Sequence, residues 1–254
     1  MLTLSNYFVI ALSALAAGAV NSLAGGGTLI SFPTLTALGI PAVAANITNT
    51  VALCPGYLGG ALAQGRDLQG QRKRLWLYIP AGIAGGLLGG ILLQITSEAL
   101  FRELVPYLIL LATVLLAAQP LVRTWLTGRT QDAATKPGSD WWGLVPVCIA
   151  AVYGGYFGAG LSIIVLAVLG LAVDDSLTRL NALKQVIALA TNLAAAIFFL
   201  FSGKVIWPVA LVMLTGALLG GALGGRMAGC VKPAVLRWLV VVIGLVVAVI
   251  YFIR

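Results

Sequence analysis

Ten apolar segments follow one another along the chain, separated by short polar or glycine-rich stretches. They are Leu4–Leu23, Thr28–Leu38, Pro41–Ala63, Leu75–Ile95 and Leu104–Gln119, then Trp141–Phe157, Leu161–Val173, Ser176–Phe201, Val205–Ala228 and Ala234–Ile253. Eight of them come near the ~20 residues that a helix needs to cross a bilayer core. Thr28–Leu38 and Leu161–Val173 reach only about half to two-thirds of that span, and each follows a glycine break. The pattern predicts an all-α polytopic membrane protein with 8-10 membrane segments and one glycine-broken short helix per half.

The two halves repeat one another. Ala24-Gly25-Gly26-Gly27-Thr28 opens the first short segment and Gly158-Ala159-Gly160-Leu161-Ser162 the second, with Gly27 and Gly160 133 positions apart. A glycine ridge at Gly82, Gly86 and Gly90 recurs at Gly216, Gly220 and Gly224, offset by 134. Small residues at this spacing let helix backbones approach closely in lipid. The whole chain, 1–254, is expected to form a single integral membrane domain: a first repeat 1–122, a linker 123–140 and a second repeat 141–254. The linker, RTWLTGRTQDAATKPGSD, has the Gly, Ser and Lys-Pro content of a flexible surface loop. Duplicated membrane units with one interrupted helix each are the plan of many secondary transporters.

Composition agrees with a lipid solvent. Hydrophobic residues make up 61% of the 254 positions and charged residues 9%, and the mean hydropathy is +1.06. The formal charge of +8 does not point to nucleic acid, because the bases sit in short loops between apolar spans, where Lys and Arg mark the cytoplasmic face. Leu4–Ala24 has the apolar character of a signal peptide, but no Lys or Arg precedes Arg66, so it reads as a first membrane helix. The tryptophans cluster near segment ends, as an interfacial belt does.

Counting bases orients the chain. If each short segment dips in and returns, eight crossings leave the repeats parallel and divide Lys and Arg nine against five. If each crosses, ten crossings leave them as inverted repeats. Arg66, Arg72, Lys73, Arg74, Arg123, Arg129, Lys136, Arg179, Arg226, Lys232 and Arg237 then face Arg102, Lys204 and Arg254. The positive-inside rule favours the inverted arrangement, with both termini outside the cytoplasm.

Candidate chemistry follows from the breaks. Non-helical backbone at membrane depth must be satisfied by protein, water or substrate, and the N-terminus of a short helix presents free N–H groups and partial positive charge to an anion. Gly25, Gly26, Gly27 and Thr28, and Gly158, Gly160 and Ser162, are therefore substrate-binding candidates; the competing role of the glycines is to permit a tight hairpin. Polar residues inside the spans add Asn46, Thr48, Asn49 and Thr50 in one half and Asn181, Gln185, Thr191 and Asn192 in the other, with Asn49 and Asn181 aligning at an offset of 132. Interhelical hydrogen bonding competes for these residues. Lys184 lies about eight residues into its segment, where an ionisable side chain is a functional candidate by default; pairing with Asp174 or Asp175 is the alternative. Asp174, Asp175 and Arg179 are candidates for coupling or for ion pairing.

Other chemistries lack their parts. The chain has no His, and Cys54, Cys148 and Cys230 are widely spaced, so neither a metal site nor any other cofactor is expected. No P-loop, H-E-x-x-H pair or Ser/His/Asp set is present, so the chain is not expected to be an enzyme.

Three passages carry a family resemblance: AGGGTLISFPTLTALGIPAVAANITNT in the first half, then GGYFGAGLSIIVLAVLG and LNALKQVIALATNLAAAIFFLFSGKVIW in the second. Through them the chain resembles the TauE/SafE sulfite exporter family over nearly its whole length. The resemblance implies a multi-pass permease of a bacterial-type inner (plasma) membrane whose partner is a small sulfur-containing anion such as sulfite, sulfoacetate or a related sulfonate. It places substrate-facing roles on Gly25, Gly26, Gly27 and Thr28 and on Gly158, Gly160, Asn181 and Lys184. Many relatives keep three consecutive glycines where this chain has Gly158-Ala159-Gly160, which makes the two half-sites unequal. An inside-negative potential favours export of an anion by about 2.3 kcal/mol per charge per 100 mV. The leading expectation is an alternating-access exporter; an anion channel, a coupled uptake permease and a non-transporting scaffold are the competing readings, and a homo-oligomer is left open.

Overall fold

The computed structural model describes residues 2–23, 26–132, 140–226 and 233–253. Among them the chain is all-helical: α1 (Leu4–Leu23), α2 (Thr28–Ala37), α3 (Ala42–Ala63), α4 (Arg72–Ile95), α5 (Glu98–Asp132), α6 (Leu144–Tyr156), α7 (Leu161–Ala172), α8 (Leu177–Leu200), α9 (Trp207–Arg226) and α10 (Pro233–Ile253), with 3-10 turns at Gly65–Leu68 and Asp140–Gly143. Six of these, α1, α4, α5, α8, α9 and α10, are long and apolar enough to cross a membrane, and α2 and α7 are shorter apolar helices. Trp142, Phe201 and Leu4 lie on the outside with more than four-fifths of their surface exposed, as lipid-facing side chains do.

Two expected boundaries are corrected. The segment from Arg123 is not a surface loop, because α5 continues through it to Asp132; Arg and Thr side chains are compatible with helix, and no proline or glycine pair interrupts the run before Lys136. Residues 133–139 of that linker lie outside the described residues. Trp141–Phe157 is not a full-length span: Asp140–Gly143 is a 3-10 turn and α6 has only 13 residues, about 20 Å of helix.

Contacts at the helix ends fix the direction of each element. Glu98, opening α5, accepts from the N–H groups of Ala42 and Val43 at the start of α3, the latter at 3.1 Å. Lys204, ahead of α9, donates to the Gln94 carbonyl at the end of α4 (3.1 Å), and the Ile206 N–H donates to Thr48 (3.1 Å). These define the Glu98 end. At the opposite, Arg74 end, Arg74 bonds Asp140 ahead of α6 (3.3 Å) and Asp175 after α7, while Arg179 donates to the Gln69 carbonyl (2.8 Å).

Both breaks are hairpin tips. α6 leaves the Arg74 end and α7 returns to it, with Gly143 against Ala172 and Gly154 against Leu161. α1 runs parallel to α9, with Leu15 beside Gly220 and Ser22 beside Gly224, so it starts at the Glu98 end. α2 returns to that end, where Thr36 bonds Tyr251. Each short helix thus brings the chain back to the end from which its predecessor set out, which is the order of ends that the ten-crossing scheme gives, although α2, α6 and α7, at 10, 13 and 12 residues, are too short to cross by themselves. Among the described bases, Arg66, Arg72, Lys73, Arg74, Arg123, Arg179 and Arg237 belong to the Arg74 end, and Arg102 and Lys204 to the Glu98 end.

The helix contacts are reciprocal between the halves. α1 packs on α9 as α6 packs on α4; α3 on α9 as α8 on α4; α2 on α10 as α7 on α5; and α3–α8 and α5–α10 pair with their own counterparts. The glycines make these crossings close. A Cβ on Gly220 would overlap the Leu15 carbonyl, one on Gly86 the Thr191 carbonyl, and one on Gly89 the Val152 carbonyl. The two ridges are not counterparts, however. Gly216, Gly220 and Gly224 face α1, whereas Gly82, Gly86 and Gly90 face α8; the glycines that face α6 are Gly85 and Gly89, which correspond to Gly216 and Gly220 at an offset of 131.

Gly220→Val places a methyl-bearing carbon inside backbone that cannot rotate away, and overpacking of this kind costs about 3 kcal/mol. It is expected to abolish the monodisperse peak in size-exclusion chromatography. Gly128→Ala, where nothing lies within 4 Å, is expected to leave the peak intact and to raise thermal stability slightly.

Candidate functional site

The two hairpin tips come together on one turn of α5. Gly26, at φ +89°, stands against Leu116, and Gly160, at φ +82°, stands against Ala112 and Leu115. That turn lies near the middle of the apolar stretch Glu98–Gly128. The aromatic rings of the two tips also touch: Phe32 of α2 meets Phe157 edge-on at 5.4 Å between centroids. Gly26, Gly158 and Gly160 all have positive φ, a conformation glycine adopts without the steric penalty other residues meet.

Each tip is held by side chains of neighbouring helices. In the first, Asn21 Oδ1 accepts from the Gly27 N–H at 3.2 Å, and its side chain lies near the Tyr57 hydroxyl. Ser31 donates to Asn49 Oδ1 at 2.5 Å, joining α2 to α3 in a fully buried contact. In the second, Asn46 of α3 donates to the Tyr156 carbonyl at 2.8 Å, and the Tyr153 hydroxyl donates to the Ala159 carbonyl at 2.6 Å. Asn46 thus lets the first half complete the break in the second.

The expected site residues divide into three groups. Gly26, Gly27, Gly158 and Gly160 form the tips, Thr28 is buried directly after the first, and Ser162 is half-buried with neither its N–H nor its hydroxyl bonded to the protein among the described residues. Gly25 lies outside the described residues, as does Cys230. Asn181, Lys184 and Gln185 sit elsewhere, near the start of α8. Lys184 Nζ donates to Asn181 Oδ1 at 3.1 Å, and no described carboxylate is within ion-pair distance. Arg123 of α5 is close enough to act on it electrostatically. Lys184 precedes Thr191, the residue level with Gly86, by seven positions, so it stands about 10 Å nearer the Arg74 end than that level. No hydrogen bond or ion pair joins it to either tip among the described residues.

The third group is an ion-pair network at the Arg74 end. Asp175 takes Arg74 and, at 2.9 Å, Arg179, and Arg74 reaches Asp140 as well. Asp174 is exposed and, among the described residues, contributes its carbonyl to Arg74 at 3.4 Å and no side-chain bond. Lys184 therefore does not pair with either aspartate. The helix starts also revise one alignment: α3 opens at Ala42 and α8 at Leu177, so Asn181 corresponds to Asn46, and Asn49 to Lys184.

Comparison with known proteins decides the family. Residues 10–251 match the family model described as sulfite exporter TauE/SafE. The chain belongs to that family. It is 27% identical over 223 residues to a probable membrane transporter protein of Haemophilus influenzae, covering 88% of this chain and 85% of the relative. It is 26% identical over 236 residues to the probable membrane transporter protein YfcA of Escherichia coli K12, covering 92% and 85%. A probable membrane transporter protein, ORF9, of a Sinorhizobium species matches at 26% over 238 residues, 93% and 88%. No solved structure matches this chain. As a TauE/SafE protein it is a multi-pass, bacterial-type membrane transporter.

In this TauE/SafE protein the Asp175 network ties the α6–α7 hairpin to α4 and α8. Burial opposes ionisation of Asp175, but bonds from Arg179, the Ser176 N–H and Arg74 outweigh it and hold the carboxyl below its ordinary value of 3.8. A carboxylate with a lowered value in the folded state stabilises above the unfolded value, and loses that contribution as pH falls through the folded one. Asp175→Asn is expected to cost about 1–3 kcal/mol at pH 7, between the surface and buried limits for an ion pair. The difference from wild type should shrink as thermal melts are taken below pH 3.8.

Proposed function

We propose that this TauE/SafE protein exports a small sulfur-containing anion, sulfite, sulfoacetate or a related sulfonate, by alternating access. The observation that carries the reading is the meeting of two broken-helix tips, opened from opposite ends of the molecule, on the Ala112–Leu116 turn. Tips arriving from opposite ends support an inverted relation of the repeats, with the base-rich Arg74 end cytoplasmic. The α7 N-terminus offers the Ser162 N–H and hydroxyl at the positive pole of a helix. Thr28 opens α2 in the first half, one position ahead of the residue that matches Ser162.

Lys184 supplies the second element. It is a cation within a membrane helix whose one hydrogen bond among the described residues goes to a neutral amide, with Arg123 near enough to act on it electrostatically. Like charges near one another in lipid call for an anion beside them, and Lys184 stands between the Arg74 end and the level of Gly86. On this reading Lys184 and Arg123 draw the anion in from the cytoplasm, and the helix ends receive it. The membrane potential then drives release outward.

Anion efflux from proteoliposomes loaded with sulfite, sulfoacetate, sulfate or chloride tests this. Saturable, voltage-sensitive efflux of one sulfur anion is expected, reduced about tenfold or more in Lys184→Met at equal protein content. Folded wild-type protein that moves no anion above empty liposomes would overturn the reading.

A further inference from the structure

The break between α6 and α7 has a second pole. Asn46 is fully buried, 0% exposed; its Nδ2 donates to the Tyr156 carbonyl at 2.8 Å, and its Oδ1 has no partner. Rotating the amide would set Oδ1 against a carbonyl oxygen, so the Tyr156 bond fixes which atom is left over. Asn192, 4% exposed, is arranged alike: its Nδ2 donates to the Ala188 carbonyl at 2.8 Å, which leaves Oδ1 turned away from its own helix. The point where a Cβ of Gly158 would stand is 3.8 Å from that Oδ1 and 3.1 Å from the Gly154 carbonyl oxygen. The Gly154 carbonyl has lost its helical donor, since the Gly158 N–H goes to the Tyr153 carbonyl instead (3.3 Å).

These are acceptors, and an anion is repelled by them. Asn192 Oδ1 and the Gly154 oxygen border Gly158 at the C-terminus of α6, where the helix dipole is negative, and the Asn46 amide is bonded to the same terminus two residues earlier, at the Tyr156 carbonyl. Unwound carbonyls and half-helix C-terminal ends are the groups with which broken transporter helices hold a coupling cation. No carboxylate is near, and no metal-ligating cluster occurs among the described residues, so a divalent ion lacks the charge it requires. We propose that Gly154, Gly158, Asn46 and Asn192 form a monovalent cation site at the second break, with sodium as its test ion. The absence of deep acids therefore does not exclude ion coupling: amide and backbone oxygens replace them. The site gives the break two faces, a cation held at the end of α6 and an anion at the start of α7.

The test needs no sulfur anion, so its outcome is independent of the export reading. Purified full-length protein is melted in NaCl and in choline chloride at equal ionic strength. A saturable rise in Tm with Na+ and none with choline is expected. Asn192→Ala, which removes only a bond internal to α8, is expected to raise the half-saturating Na+ at least about tenfold, while Asn192→Asp, which keeps an oxygen there, retains the response. Equal melting in both salts, or an Asn192→Ala titration that matches wild type, would overturn the proposal and assign the oxygens to water. Direct binding of radioactive sodium to wild type reads the same question if the variants fail to fold: saturable binding supports the site and its absence overturns it.

Discussion

An unwound backbone in the middle of a bilayer has no water to turn to, and the architecture is organised around meeting that demand. The two breaks expose N–H and carbonyl groups at a depth where each unpaired one costs free energy. Asn21, Asn46 and Tyr153 exist at their positions to answer it, and the tips are pressed against α5 so that little of them is open. What remains unanswered is selective: donors at the start of α7, acceptors at the end of α6. A transporter needs groups that prefer its cargo to water, and the only polar groups free to prefer anything are those the protein has left unpaired.

Glycine-lined crossings provide the second half of the design. In lipid no hydrophobic drive holds helices together, so close van der Waals packing takes its place. α1 against α9 and α6 against α4 are backbone-on-backbone contacts in which each hairpin is clasped by a helix of the other repeat. This cross-clasping makes the repeats one body rather than two, and it explains why Asn46 from one half can serve a carbonyl in the other.

Element positions were largely legible in the sequence, because apolar length and glycine punctuation are strong signals: α1, α3, α7 and α8 fall within a residue or two of the hydrophobic segments. The meeting of the glycine breaks was legible too, through the repeat. The depth of the breaks was not, since Trp141–Phe157 reads as a crossing by length while α6 has 13 residues, and only Gly27 beside Ala17 shows how soon α2 starts back. The ridge register misled for a related reason: Gly82 and Gly85 are both on α4, and sequence cannot say which row meets α6 and which meets α8. Asn21 carried a faint signal, six residues ahead of Gly27. Asn46 and Asn192 appeared as polar residues in apolar helices, but the role of each rests on which amide atom is spoken for.

One consequence concerns α5 itself. Pro120 has no N–H to give the Leu116 carbonyl, and Leu116 belongs to the turn on which both tips rest. The helix thus lacks a bond one turn beyond its shared bearing surface, as it does again at Pro106. A bend at Pro120 would reach the supports of both tips at once, because the two share one turn of one helix.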